Sequence, residues 1–247
     1  EWGRRAAHDL ASMEKLFASA QVIAMPAPRQ GLQDLVARRV AFLTAYQNAA
    51  YAKRYENLVG RVQQTESALG KTQLSEAVAR YLFKLMACKD EYEVARLHTD
   101  RSFHDKVGAM FEGDYKLNYH LAPPIIAKTN DRGELQKQKF GPWMLTGFKV
   151  LAKLKGLRGT ALDPFGRTEE RRMERALIVQ YESCIEEILH SLTAGNHAAA
   201  VDVARIPELI KGYGHVKARH VEQAQLQWTV ALAAFRQPQA VRPQLAA

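Results

Sequence analysis

Cysteine is scarce in this chain: 247 residues carry two, Cys88 and Cys184, far apart and in stretches that otherwise read as helix. That excludes a disulfide framework and a metal knuckle, and it points to a reducing compartment, so a cytoplasmic location is expected. No apolar run approaches the roughly 20 residues that span a bilayer, and the N-terminal stretch lacks a signal-peptide core. Membrane insertion and secretion are therefore not expected. No P-loop, GxGxxG, GxSxG or HExxH string occurs, which removes the common phosphate-cradling, hydrolase and zinc-protease readings. No period of 20–50 residues repeats, so the chain does not read as a solenoid.

What is present is ample apolar material and an excess of positive charge. Hydrophobic residues make up 47% of the chain, enough to bury a core in one domain, and the formal net charge is +9. A nucleic-acid partner would want the basic residues clustered, but they are interleaved with acids, as in Glu169-Glu170-Arg171-Arg172-Met173-Glu174-Arg175. That interleaving reads instead as a solvated or intersubunit helix face.

Periodicity organises the chain as mainly α, a multi-helix domain with a small β-hairpin insert around residues 115–140. Residues 1–24 are alanine-rich and read as the tail of a preceding catalytic domain. Pro26 and Pro28 make 25–31 a linker. Because the chain opens on Glu1-Trp2-Gly3 without an initiator methionine, it is expected to be a piece of a longer polypeptide. Leu32, Leu35, Val36, Val40, Leu43, Tyr46, Ala50 and Leu58 recur at helical spacing, predicting one long helix over 32–68 that ends at Gly70. Further helices are expected over 73–87, 89–97, 101–111, 143–155, 168–190, 198–204, 207–211 and 215–236. Between them, 115–121 alternates as a strand, and 125–128, a turn at 130–133 and 134–140 read as a hairpin. Residues 32–236 thus form the helical domain, and 237–247 a frayed tail.

Five unusual strings occur in order: KDEYEVARLHTD at 89–100, HLAPP at 120–124, FGPWM at 140–144, LRGTALDPFGRTEERRMERAL at 157–177 and GYGHVK at 212–217. As a set they resemble the extreme C-terminal region of the fused indolepyruvate ferredoxin oxidoreductase of the 2-oxoacid:ferredoxin oxidoreductase family, over about residues 32–236. The resemblance implies a parent enzyme that oxidatively decarboxylates aryl 2-oxoacids to acyl-CoA, using thiamine diphosphate, Mg, [4Fe–4S] clusters and coenzyme A and reducing ferredoxin. It implies as partners the catalytic domains of the same polypeptide, in a homo-oligomer. None of the cofactors is expected within this chain, because it has no Gly-Asp-Gly pyrophosphate string and two isolated cysteines cannot supply four cluster thiolates. The expected role is non-catalytic scaffolding or assembly, with a coenzyme A- or substrate-binding module or an independent helical protein-interaction module as the alternatives, and the chain alone is expected to be inactive.

No catalytic residue and no metal ligand is singled out. The leading binding candidates are basic residues of the stretch running from Lys149, Lys153 and Lys155 through Arg158 and Arg167 to Arg171, Arg172 and Arg175. Guanidinium groups fork onto phosphates, so Arg158, Arg171, Arg172, Arg175 and, farther on, Lys217 are candidates for coenzyme A phosphates or a substrate carboxylate. The competing reading pairs them with acidic residues of another domain or subunit. Phe140, Trp143, Phe148 and Phe165 surround the same region, as interface anchors or as packing for the β insert. His215 and His220, five apart, fall on different sides of a helix, which disfavours a shared metal; His98 and His104 read as structural, and His120 as a groove or strand residue.

Overall fold

The computed structural model describes residues 7–9, 31–121 and 136–237. The chain falls into two compact units, Glu1–Gly31 and Leu32–Ala247. The second holds nine α-helices and one two-stranded sheet among its described residues. The expected tail at 1–24, linker at 25–31 and frayed end at 237–247 lie almost entirely outside the described residues, as do the extended stretch at 125–128 and the turn at 130–133.

The first departure from periodicity comes early. The helix expected over 32–68 is two helices, α1 (Leu32–Tyr46) and α2 (Ala49–Ser67). Asn48 sits between them in an extended conformation, φ −166° and ψ 175°, and its side chain accepts a hydrogen bond from the Tyr51 N–H at 2.8 Å. An N-cap thus interrupts a run whose apolar spacing is continuous, because it satisfies an amide that would otherwise be orphaned. After α2, Gly70 turns the chain with φ +65°, a conformation that other residues reach only with strain. Then follow α3 (Gln73–Met86), α4 (Glu91–Thr99) and α5 (Arg101–Gly108).

The small hairpin insert is present, and its described strands are three residues each. Strand β1 (Tyr119–Leu121) pairs antiparallel with β2 (Gln138–Phe140), Tyr119 opposite Phe140 and Leu121 opposite Gln138. The returning arm pairs with the stretch before the prolines. Next come α6 (Met144–Lys153), a 3-10 turn (Leu154–Leu157), α7 (Glu169–Ser191), α8 (His197–Arg205), a second 3-10 turn (Ile206–Leu209) and α9 (Gly214–Arg236).

Two cores hold these elements. The larger joins α1, α2, α3, α7, α8 and α9, and its fully buried members include Leu43, Tyr55, Val62, Leu82, Tyr181, Ile185 and Trp228. On α7 the buried positions Glu174, Leu177, Ile178, Tyr181, Cys184, Ile185 and Ile188 recur in steps of three and four, the stripe of an amphipathic helix. The smaller core packs Ala95 of α4, Tyr119 of β1 and Phe148 of α6. His98 is stacked on Phe148 with centroids 5.0 Å apart, and burial lowers its pKa, so the ring belongs to this core as a neutral aromatic. The carbonyl of His98 contacts His104 Nε2 at 2.8 Å.

Candidate functional site

Between the two cores, the segment after α6 returns to the start of the domain and binds it with charge. Helix α1 has no basic residue in its last turn. Its terminal carbonyls are instead taken by side chains from more than 100 residues away: Lys155 Nζ donates to Ala45 O at 2.5 Å, and Arg158 Nη1 donates to Tyr46 O at 2.6 Å. Cations at a helix C-terminus satisfy orphan carbonyls and oppose the negative end of the dipole. Arg158 also forks onto Asp90, Nε to Oδ2 at 2.5 Å and Nη2 to Oδ1 at 2.9 Å, and its guanidinium lies 3.7 Å from the centre of the Tyr46 ring. The pair is nearly dry, with 11% and 6% of the two side chains exposed. Burial works to lower the Arg158 pKa, but the hydrogen bond to Asp90 and the charges nearby hold it raised.

Asp90 serves a second purpose. Its Oδ1 accepts from the Glu93 N–H at 2.8 Å and caps α4, whose acidic first turn suits the helix dipole. A few residues beyond Arg158, the loop closes on Asp163, which accepts from Gly159 N at 2.7 Å, Phe165 N at 3.1 Å and Tyr92 Oη at 3.1 Å. Burial pushes this carboxyl up, yet those donors outweigh it and its pKa is lowered. A Cβ at Gly166 would overlap the Asp163 carboxylate, so the loop needs a glycine there on steric grounds alone.

Glu174 is the second hub. Arg171 Nη1 reaches its Oε2 at 2.5 Å and Lys217 Nζ its Oε1 at 2.5 Å, with 7% of the Glu174 side chain exposed. Arg171 lies 3.7 Å from Glu91 as well, and its pKa is raised, burial being outweighed by these carboxylates. Glu91 Oε2 has no hydrogen-bond partner, and burial raises its pKa. The run 169–175 is therefore not a solvated face throughout: Glu174 is 6% exposed and in phase with the apolar stripe, being seven residues before Tyr181.

A cleft of about 310 Å³ opens among these groups and is lined by Tyr51, Arg158, Arg171 and Arg175. A second, of about 370 Å³, lies beyond Cys88 and Glu174, which border both. Of the residues picked out in the sequence, Arg158, Arg171 and Arg175 line the first cleft and Lys217 the second. Arg175 donates to Gly166 O at 2.6 Å. Arg172 is exposed, lines neither cleft, and has no partner among the described residues. Burial pushes the Cys88 thiol up to about 12, which leaves it protonated and unreactive at neutral pH.

Sequence reasoning did not single out Asp90, Asp163 or Glu174, the three carboxylates that organise the site. Nor did it find Glu66, fully buried at the end of α2. That side chain accepts from Leu74 N and Ser75 N, each at 2.7 Å, and from Ser75 Oγ, and contacts His197 Nε2 at 2.7 Å. The phase of Glu174 with the stripe was a usable signal; for Glu66, seven residues before the helix start it caps, there was none. Among the described residues, no group of three or more His, Cys, Asp or Glu is placed to hold a metal ion. No described helix is long and apolar enough to cross a membrane.

Residues 32–230 match the sequence profile of a family described as a family of unknown function, DUF6537. No curated protein and no solved structure matches the chain.

Proposed function

The chain belongs to DUF6537, a family of unknown function, and from that premise we propose that it is the non-catalytic assembly domain of an indolepyruvate-type 2-oxoacid:ferredoxin oxidoreductase. The five strings support the family; one structural observation supports the role. Three cations within those strings are engaged inside the chain: Arg158 by Asp90, and Arg171 and Lys217 by Glu174. Guanidinium and ammonium groups so engaged act as fasteners between elements. They leave little charge for a substrate.

On this reading the parent enzyme works in the cytoplasm and takes aryl 2-oxoacids to acyl-CoA. Thiamine diphosphate, Mg and the [4Fe–4S] clusters belong to its other domains, and ferredoxin is its electron acceptor. The cysteines here do not suit a cluster, since Cys184 is buried on α7 and Cys88 sits past the end of α3. The test removes residues 32–236 from the parent polypeptide and follows assembly by size-exclusion chromatography and turnover with indolepyruvate. The expected outcome is loss of assembly or activity on deletion, and no turnover by the isolated chain. A deletion variant that assembles and turns over normally would overturn the assignment.

A second reading rests on Arg172, which lacks a partner among the described residues, and on Arg175, held only by the Gly166 carbonyl beside the first cleft. These two are free to meet a coenzyme A phosphate. The double reversal R172E/R175E in the parent then raises the KM for coenzyme A; an unchanged KM ends that reading.

A further inference from the structure

The second cleft, about 370 Å³, lies between the end of α3 and the start of α9, in the lower part of the roughly 300–1,000 Å³ range of small-molecule sites. Four lysines line it: Lys84 from α3, Lys89 from the turn after it, and Lys211 and Lys217 on either side of the α9 start. The lining contains one carboxylate, Glu174, and that group is already shared by Arg171 and Lys217. Glu174 matches Lys217, so the excess positive charge of the lining is that of Lys84, Lys89 and Lys211.

Lys84 reports the imbalance. Its Nζ donates to Pro207 O at 2.7 Å and Glu208 O at 3.2 Å, which fixes the ammonium beside the cleft. Burial lowers its pKa, and Lys211 and Lys217 push it the same way against Glu208. Lys89 and Lys211 are exposed, and neither side chain makes a hydrogen bond or ion pair among the described residues.

The backbone at the rim is sterically constrained. Gly212 has φ +83°, and a Cβ there would stand 2.8 Å from Val216 Cγ1, so only glycine fits the turn. Tyr213, the residue before α9, makes no side-chain cap. The first amide of the helix donates to Glu170 Oε1 at 3.2 Å, a carboxylate already drawn to this end. Buried Leu85, Leu177 and Ile210 form the apolar part of the lining, and Tyr213 stands 67% exposed at its edge.

We propose that this cleft binds a small phosphorylated molecule, its phosphates held by Lys89 and Lys211, with Lys84 beside them. Lysine serves here as a point charge, which suits a tetrahedral phosphate that presents several oxygens. The inference does not depend on the oxidoreductase reading, because Arg172 and Arg175 lie outside this cleft.

The probe is inorganic pyrophosphate, titrated into the full chain by calorimetry at about 50 and about 200 mM salt. Saturable one-to-one binding that weakens with salt is expected. K89E/K211E then loses affinity roughly tenfold or more, and K89Q/K211Q loses less. Both lysine double variants keep the wild-type melting temperature, since neither side chain supports the fold. No saturable binding by the wild-type chain, or binding that K89E/K211E leaves unchanged, would overturn the proposal.

Discussion

At the scale of single residues, two ion pairs separate charge that organises the domain from charge that decorates it. Arg158 and Asp90 are nearly dry, whereas Arg61 and Glu186 keep 53% and 38% of their side-chain surface exposed. Removing one partner of a buried pair strands the other. Arg158→Ala is therefore expected to cost about 3–5 kcal/mol, and Arg61→Ala far less, because its charge stays in water, both read from urea denaturation midpoints. Equal losses would mean that Asp90 finds water or another donor. Glu66 supplies a pH dependence of definite sign. Burial pushes its pKa up, but the hydrogen bonds from Ser75, His197 and the α3 amides hold it below the ordinary carboxylate value. The folded state thus favours the ionised form. Its contribution is complete above the unfolded value of about 4.3 and is lost as the pH falls through the lower folded value. The melting temperature of the wild-type chain should drop between neutral pH and pH of about 3, and Glu66→Gln, less stable at neutral pH, should drop less. A parallel fall in both proteins would place the acid sensitivity elsewhere.

At the scale of elements, the break between α1 and α2 shows how a local polar group overrides an apolar period. Leu32 through Leu58 is continuous in helical phase, yet Asn48 in the extended region starts a new helix, and the carbonyls ending α1 are taken by Lys155 and Arg158. Asn48→Ala should cost about 1 kcal/mol, measured by denaturant unfolding; no loss would show that the tertiary carbonyl contacts suffice to hold the break. The loop on Asp163 gives a steric counterpart. Gly166→Ala forces a methyl into the Asp163 carboxylate, with an expected loss of about 1–3 kcal/mol. The apolar stripe of α7 was readable in the sequence because its steps of three and four persist for five turns. The pairing of β1 with β2 was not, because three-residue strands carry too little alternation to choose a partner.

At the scale of the molecule, α7 acts as the electrostatic spine. Glu182 pairs with Arg54 and Glu186 with Arg61 of α2, Glu187 with Arg236 of α9, and Glu174 with Lys217 of α9. An excess of +9 thus coexists with a helix whose acids are largely used within the chain, and part of the uncompensated charge, Lys84, Lys89 and Lys211, gathers around one cleft. Whole-chain charge does not reveal this, since potential depends on which side chains face one another.

The sequence by itself determined the mainly helical class, the small hairpin insert and the positions of most helices, because these follow from propensity and period along the chain. It also carried the cationic strings and the glycines of the loops. Packing alone sets which cations are spent and which remain available. Asp90 and Arg158, or Glu174 and Lys217, are separated by tens of residues, and their meeting depends on how helices pack rather than on any local spacing. Desolvation then turned those meetings into fasteners: a charge buried with its partner serves the fold, and one left at the mouth of a cleft can serve a ligand.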